Sequence, residues 1–158
     1  MVERRIHDRI VALEYDYAAC LDDDRLEEWP GLFVEDGRYD ITTRENVEDG
    51  FPLGIFHCRN RAQMRDRVKI LRNAAVFSLR YYRRLIGNVR VLQSGRDVHE
   101  SEASYVAYAT DVVDGTTELF STGKYCNTIV EVEGALRFQS KIVIADTASI
   151  AKNLSVPL

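Results

Sequence analysis

The run Arg83-Arg84-Leu85-Ile86-Gly87-Asn88-Val89-Arg90-Val91 marks a change of hydrophobic period, and no other feature restricts the fold more. Before it, apolar side chains recur every three or four residues, as on helices; after it they alternate, as on strands. Within the run, Leu85, Gly87, Val89 and Val91 are expected to form one small or apolar face. Arg84, Asn88 and Arg90 then put polar groups among Ile86 and Leu92 on the other. This reads as the first long strand of a sheet. Helices first and strands afterwards describe an α+β domain.

The helical half opens with residues 3–21, where Ile6, Ile10, Leu13, Tyr17 and Leu21 make one apolar stripe. Asp24 with Glu27 three residues on resembles a capping box for a short second helix, which Pro30 and Gly31 end after about one turn. Asp36-Gly37 turns the chain into a short strand over residues 38–43, and residues 44–54 read as a loop. Residues 55–58 are a short extended piece. Asn60 with Gln63 then caps a helix whose buried side is Met64, Val68, Leu71 and Ala75.

Past the changeover the pattern is antiparallel. Ser94-Gly95 leads to a strand over residues 102–110 with Ala103, Tyr105, Ala107 and Ala109 on one face. Asp114-Gly115 is a hairpin signal into a long strand over residues 117–131, where Gly123 is expected to mark a bulge or bend. Glu133-Gly134 turns into Leu136, Phe138, Ser140, Ile142 and Ile144, with Arg137, Gln139 and Lys141 expected on the opposite, polar face. No repeat, linker or low-complexity tract interrupts the chain, and a single domain over residues 1–158 is expected.

Charge is distributed unevenly. Residues 1–58 carry 6 basic and 15 acidic side chains, residues 59–90 carry 10 and 1, and residues 91–158 carry 5 and 9. The basic segment either pairs with the acidic N-terminal third inside the molecule or offers a surface to an acidic partner. A pI near 5.4 without an RNA-binding motif argues against nucleic acid, despite Tyr81 and Tyr82 beside arginines. Charged residues break up the first thirty positions, and no run approaches the roughly 18 apolar residues of a membrane span. A cytoplasmic protein is expected. Cys20, Cys58 and Cys126 are too scattered for a disulfide framework and are expected to be reduced.

Three stretches carry a resemblance. They are Arg67-Val68 in a helix, the arginine-rich passage into Ile86-Gly87-Asn88-Val89-Arg90-Val91, and Lys141-Ile142-Val143 followed by Asp146, Ile150, Asn153-Leu154 and Pro157-Leu158. Together they resemble the small (beta) subunit of aromatic-ring-hydroxylating dioxygenases. The resemblance implies an NTF2-like cone, a strongly bent antiparallel sheet packed around N-terminal helices. It also implies a structural role in a homotrimer of this chain beneath three alpha subunits, which hold a Rieske iron-sulfur cluster and a mononuclear iron.

The residues themselves offer little metal chemistry. A Rieske site needs two cysteines and two histidines in close pairs, and a mononuclear iron needs two histidines and a carboxylate on one face. His7, His57 and His99 show no such spacing, so no metal site is expected in this chain, and the resemblance implies that it carries no cofactor or catalytic residue of its own. Two alternatives stay open: an acid/base enzyme (isomerase or dehydratase) using the cone, or a small-molecule-binding module. For either, Tyr15, Tyr17, Asp40 and His57 are the candidates. For subunit contacts the candidates are Arg83, Arg84, Asn88, Arg90, Leu154 and Leu158, from the concentration of positive charge and an apolar end.

Overall fold

The computed structural model describes residues 2–52, 54–73, 79–146 and 156–158, with side chains from residue 5 onward. The positions expected at Ala75 and Leu154 lie outside the described residues. Helix α1 (Val2–Asp22) buries the stripe read from the sequence, with Ile6, Ile10, Leu13, Tyr17 and Leu21 all in the core. No helix begins at Asp24. That residue adopts a left-handed φ of 58°, and the next helical piece is the 3-10 turn Trp29–Leu32 with Pro30 in its opening positions. The Asp24 and Glu27 carboxylates instead receive the Arg72 guanidinium, at 2.7 Å each.

Strand β1 (Phe33–Thr43) starts earlier than the alternation suggests. Thr43 then caps a short helix α2 (Arg44–Glu48), accepting the Asn46 N–H at 3.1 Å, inside the stretch expected to be loop. β2 (Phe56–Cys58) follows, and Asn60 accepts the Gln63 N–H at 2.9 Å to start α3 (Arg61–Asn73), which buries Met64 and Val68. Four long strands complete the chain: β3 (Arg80–Ser94), β4 (Val98–Asp111), β5 (Thr117–Val132) and β6 (Ala135–Ala145). The β5–β6 turn uses Glu133 at φ 51° and Gly134 at φ 81°, the two positive values a tight two-residue hairpin needs.

The sheet order is β2-β1-β6-β5-β4-β3. Every neighbouring pair is antiparallel except β1 and β6, which run parallel, so the expected all-antiparallel sheet is mixed at this one seam. The sheet curls into an NTF2-like cone around α1. Strand β3 is a 15-residue edge, and α1 covers part of it. Asp22 accepts the Arg84 main-chain N–H at 2.8 Å, and the His7 ring lies 3.1 Å from the Val89 carbonyl oxygen.

Three of the sheet's register shifts decide which side chains enter the cone. In β3 the register shifts between Gly87 and Arg90, with Asn88 at φ 52°. Arg84 and Ile86 face inward before the bulge, and Val89 and Val91 face inward after it. The expected face of Leu85, Gly87, Val89 and Val91 is therefore split, and Leu85 is 58% exposed. A second shift, between Ala107 and Tyr108 of β4, sets Phe120 as the extra residue of β5. The bulge expected at Gly123 lies there instead. Gly123 has another constraint, because a Cβ at that position would come 2.1 Å from the Ile144 carbonyl oxygen.

The third shift is in β6. Ile129 faces Phe138, whereas its neighbour Thr128 faces Ser140, so Gln139 is the extra residue. The inward set changes from Leu136 and Phe138 to Lys141, Val143 and Ala145. Lys141, expected on the polar outer face, is fully buried.

Candidate functional site

The interior of the cone is built by those inversions of parity. Lys141 Nζ donates to Glu14 Oε2 at 2.7 Å and to Asn127 Oδ1 at 3.2 Å. Asn127 Nδ2 in turn donates to Glu14 Oε1 at 2.7 Å and approaches Ser101 Oγ at 3.2 Å. Helix α1, β4, β5 and β6 thus each supply one member of a closed polar cluster. The ammonium also sits 3.9 Å from the Tyr125 ring centroid, 4.3 Å from Tyr17 and 4.5 Å from Phe138. Burial pulls the Lys141 pKa down while the Glu14 charge holds it up, and the net direction is down.

Above this cluster the space is filled with aromatic rings. Tyr105 stacks on Tyr125 at 4.6 Å, Tyr17 meets Tyr125 edge-on at 5.7 Å, and Trp29 meets Tyr39 edge-on at 5.1 Å. Leu158 closes the remaining space, fully buried, with its main-chain oxygen held by the Tyr17 and Tyr39 hydroxyls. Arg84 pairs with Asp22 and also donates to the Pro157 carbonyl oxygen. Desolvation raises the Tyr17 and Tyr39 phenol pKa values well above the ordinary one and the Tyr105 value to about 12. None of these phenols ionises near neutral pH, so each is available as a proton donor.

The residues singled out from the sequence fall in separate places. Asp40 and His57 are cross-strand partners on the outer face, with His57 Nδ1 2.6 Å from Asp40 Oδ1 and the Gly54 N–H donating to His57 Nε2 at 3.2 Å. Arg38 also reaches Asp40, at 3.0 Å. Tyr17 lies on the inner side, since its partner Tyr39 precedes Asp40 and points the opposite way. Tyr15 is 56% exposed and borders a surface groove of about 320 Å³ with Ala18, Arg83, Leu85 and Ile86. Of the subunit-contact set, Arg84 and Leu158 are consumed inside the chain, whereas Arg83, Asn88 and Arg90 are exposed, Arg90 bonding Glu102 at 3.1 Å.

Most of the basic segment is matched internally. Arg61 meets Glu35 at 3.1 Å, Arg72 meets Asp24 and Glu27, Arg80 meets Glu118 at 2.8 Å, and Arg67 lies over the Phe56 ring at 4.4 Å. Burial raises the Cys20 thiol to about 12 and the Cys58 thiol to about 11, which leaves both protonated. Among the described residues no group of three or more His, Cys, Asp or Glu side chains is placed to hold a metal ion. No helix among them is long and apolar enough to cross a membrane.

The sequence reading missed Glu14, Asn127, Tyr39 and Tyr125 and placed Lys141 on the wrong face. Glu14 carried a signal, because it follows Leu13 on the inner side of an otherwise apolar helical stripe.

A curled sheet packed on one long helix sets the architecture, and the family model gives the class: the chain belongs to the family of the SnoaL-like domain, whose model matches residues 3–141. Within that fold it belongs with the small subunits of aromatic-ring dioxygenases. It is 36% identical over 149 residues to the anthranilate 1,2-dioxygenase small subunit of Burkholderia cepacia, covering 94% of this chain and 92% of the relative. It is 29% identical over 150 residues to subunit beta 2 of the terminal oxygenase component of terephthalate 1,2-dioxygenase from Comamonas, covering 95% and 97%. A crystal structure of a beta subunit assigned to an aromatic-ring-hydroxylating dioxygenase of Novosphingobium aromaticivorans matches with a TM-score of 0.91 and 37% identity over all of both chains.

Proposed function

We propose that this chain is the structural small subunit of a multicomponent aromatic-ring-hydroxylating dioxygenase. In this reading it is a single domain over residues 1–158 that forms a homotrimer and carries three large subunits in a cytoplasmic α3β3 complex. The Rieske cluster and mononuclear iron belong to the large subunit, since the scattered cysteines and locally engaged histidines here do not fit either group. The complex uses O2 and electrons to hydroxylate an aromatic ring, and this chain holds the assembly together. The observation that carries the reading is end-to-end likeness to a dioxygenase small subunit, at 36% identity over 94% of this chain and 92% of the relative.

The placement of the candidate acid/base groups supports a scaffold over an acid/base enzyme. Tyr17 and the Asp40–His57 pair lie on opposite faces of the sheet, so one substrate does not reach both. Subunit contacts are assigned to the outer side of β3, where Arg83, Asn88 and Arg90 are exposed and Arg83 borders the groove beside Tyr15. Light scattering on the purified chain, alone and co-expressed with a Rieske-type large subunit, tests the proposal. A trimer that enters a larger iron-containing complex is expected. A monomer or dimer indifferent to the large subunit would overturn it.

A further inference from the structure

Leu158 is held in the manner of a bound ligand. Its main-chain oxygen receives two phenol hydroxyls, from Tyr17 and from Tyr39 at 3.1 Å, and its N–H donates to the Tyr39 hydroxyl oxygen at 2.8 Å. Arg84, itself fixed by Asp22, donates to the preceding carbonyl oxygen of Pro157. The leucine side chain is 0% exposed and belongs to the aromatic core. Donors and acceptor are supplied by α1, β1 and β3, three elements far apart in sequence, so the seat exists only in the assembled cone.

The seat also contains more hydrogen-bonding capacity than the tail uses. The Tyr125 hydroxyl and Arg84 Nε are both buried and have no partner among the described residues. Tyr125 packs against Tyr17 and lies within the field of Arg84. Buried polar groups left unpaired are destabilising, and such groups in a native structure call for an explanation. A ligand with a second acceptor atom would satisfy them where a peptide segment does not.

We propose that this seat is a binding site for a small molecule carrying a carbonyl or carboxylate oxygen on a branched or aromatic apolar body, with Pro157 and Leu158 as its built-in occupant. The oxygen takes the place of the Leu158 main-chain oxygen between Tyr17 and Tyr39, and the apolar body replaces the leucine side chain. A free ligand and the tail compete for the same volume, so the intact chain is closed to the ligand while the tail is seated. The inference goes beyond the scaffold reading and does not depend on it.

The test is thermal unfolding of a variant lacking residues 157 and 158, with N-acetyl-prolyl-leucinamide and 4-methylpentanoate as probes. The truncated chain is expected to melt lower than the full chain and to regain stability saturably with one probe or both, because a ligand bound only by the folded state stabilises it. Rescue by the amide assigns carbonyl recognition, and rescue by the acid alone assigns a carboxylate. The full chain should not respond. Adding Tyr39→Phe to the truncated chain should weaken rescue at least tenfold, whereas Tyr15→Phe should leave it unchanged. No saturable rescue of a truncated chain that retains its circular dichroism would overturn the proposal, as would rescue indifferent to Tyr39→Phe. Should the truncated chain not fold, full-length Leu158→Gly with 3-methylbutanamide, which restores the missing isobutyl group, replaces it. An increase in its melting temperature is expected, and none would overturn the site.

Discussion

Lys141 Nζ and Glu14 Oε2 meet at 2.7 Å with both side chains at 0% exposure, and they do so because one extra residue in β6 turns Lys141 inward. Removing either partner leaves a buried charge without compensation, which costs about 3–5 kcal/mol, while replacing both by apolar or neutral groups of similar volume is often close to neutral. Glu14→Gln or Lys141→Met alone should lower the unfolding free energy by that amount, read from denaturant titrations. The double variant should recover much of the loss, and a double-mutant cycle measures the coupling.

The same pair sets a pH signature. Burial depresses the folded pKa of Lys141 below its ordinary 10.5, so between the folded and unfolded pKa values the folded state binds fewer protons. Stability therefore rises with pH across that window. Glu14→Gln removes the charge that opposes this depression and widens the window downward. Chemical denaturation of Glu14→Gln from pH 7 to pH 10 should show stability climbing more steeply than in the native chain, and equal slopes would refute the coupling.

Asn88 sits at φ 52° in the β3 bulge, a conformation open to Asn and Gly and costly for β-branched residues. Asn88→Gly should be neutral within about 0.5 kcal/mol, the scatter of harmless surface changes. Asn88→Val should cost about 1–2 kcal/mol from the left-handed backbone alone. Equal midpoints for the two variants in urea would show that the bulge relocates at no cost.

These two positions show what the sequence conceals. The α1 stripe and the face formed by Ala103, Tyr105, Ala107 and Ala109 were legible because nothing interrupts their period. Bulges erase that legibility, since one extra residue exchanges the inner and outer sets beyond it. Gly87-Asn88 carried a hint, a turn-type pair inside a strand, whereas Gln139 carried none: its strand alternates well in either register. Leu158 was readable as an apolar residue, but its seat in its own cone required Tyr17, Tyr39 and Arg84 to converge from three elements.

Arg72 clasps Asp24 and Glu27 through contacts of 2.7–2.8 Å, and its hydrogen bonds lower the Glu27 carboxyl to about 2 from the ordinary 4.5. A depressed carboxyl contributes stability that is fully present above pH 4.5 and is lost as pH falls through 2. Arg72→Ala should flatten the stability curve between those values. The clasp is exposed, so at neutral pH the variant should lose about 1 kcal/mol or less. Acid titrations of both proteins followed by circular dichroism would decide, and parallel curves would show the clasp to be energetically silent.

Arg83 and Arg84 are neighbours in sequence and opposites in the fold, which separates assembly from folding in one experiment. Arg84 is 5% exposed and binds Asp22 and Pro157, so Arg84→Glu should destabilise the isolated chain through a buried unpaired charge. Arg83 points outward beside Tyr15 and Leu85 and makes no ion pair with any other described residue. Arg83→Glu should leave the melting temperature of the dissociated chain within about 2 °C, in line with the small effect of surface substitutions. If the outer side of β3 is a subunit contact, the same change should shift the mass distribution toward smaller species and weaken retention of the large subunit, more strongly at low salt than at high, because exposed charges are screened. A variant that keeps the native mass and partner retention at low salt would move the contact elsewhere, to surfaces such as the outer faces of β5 and β6.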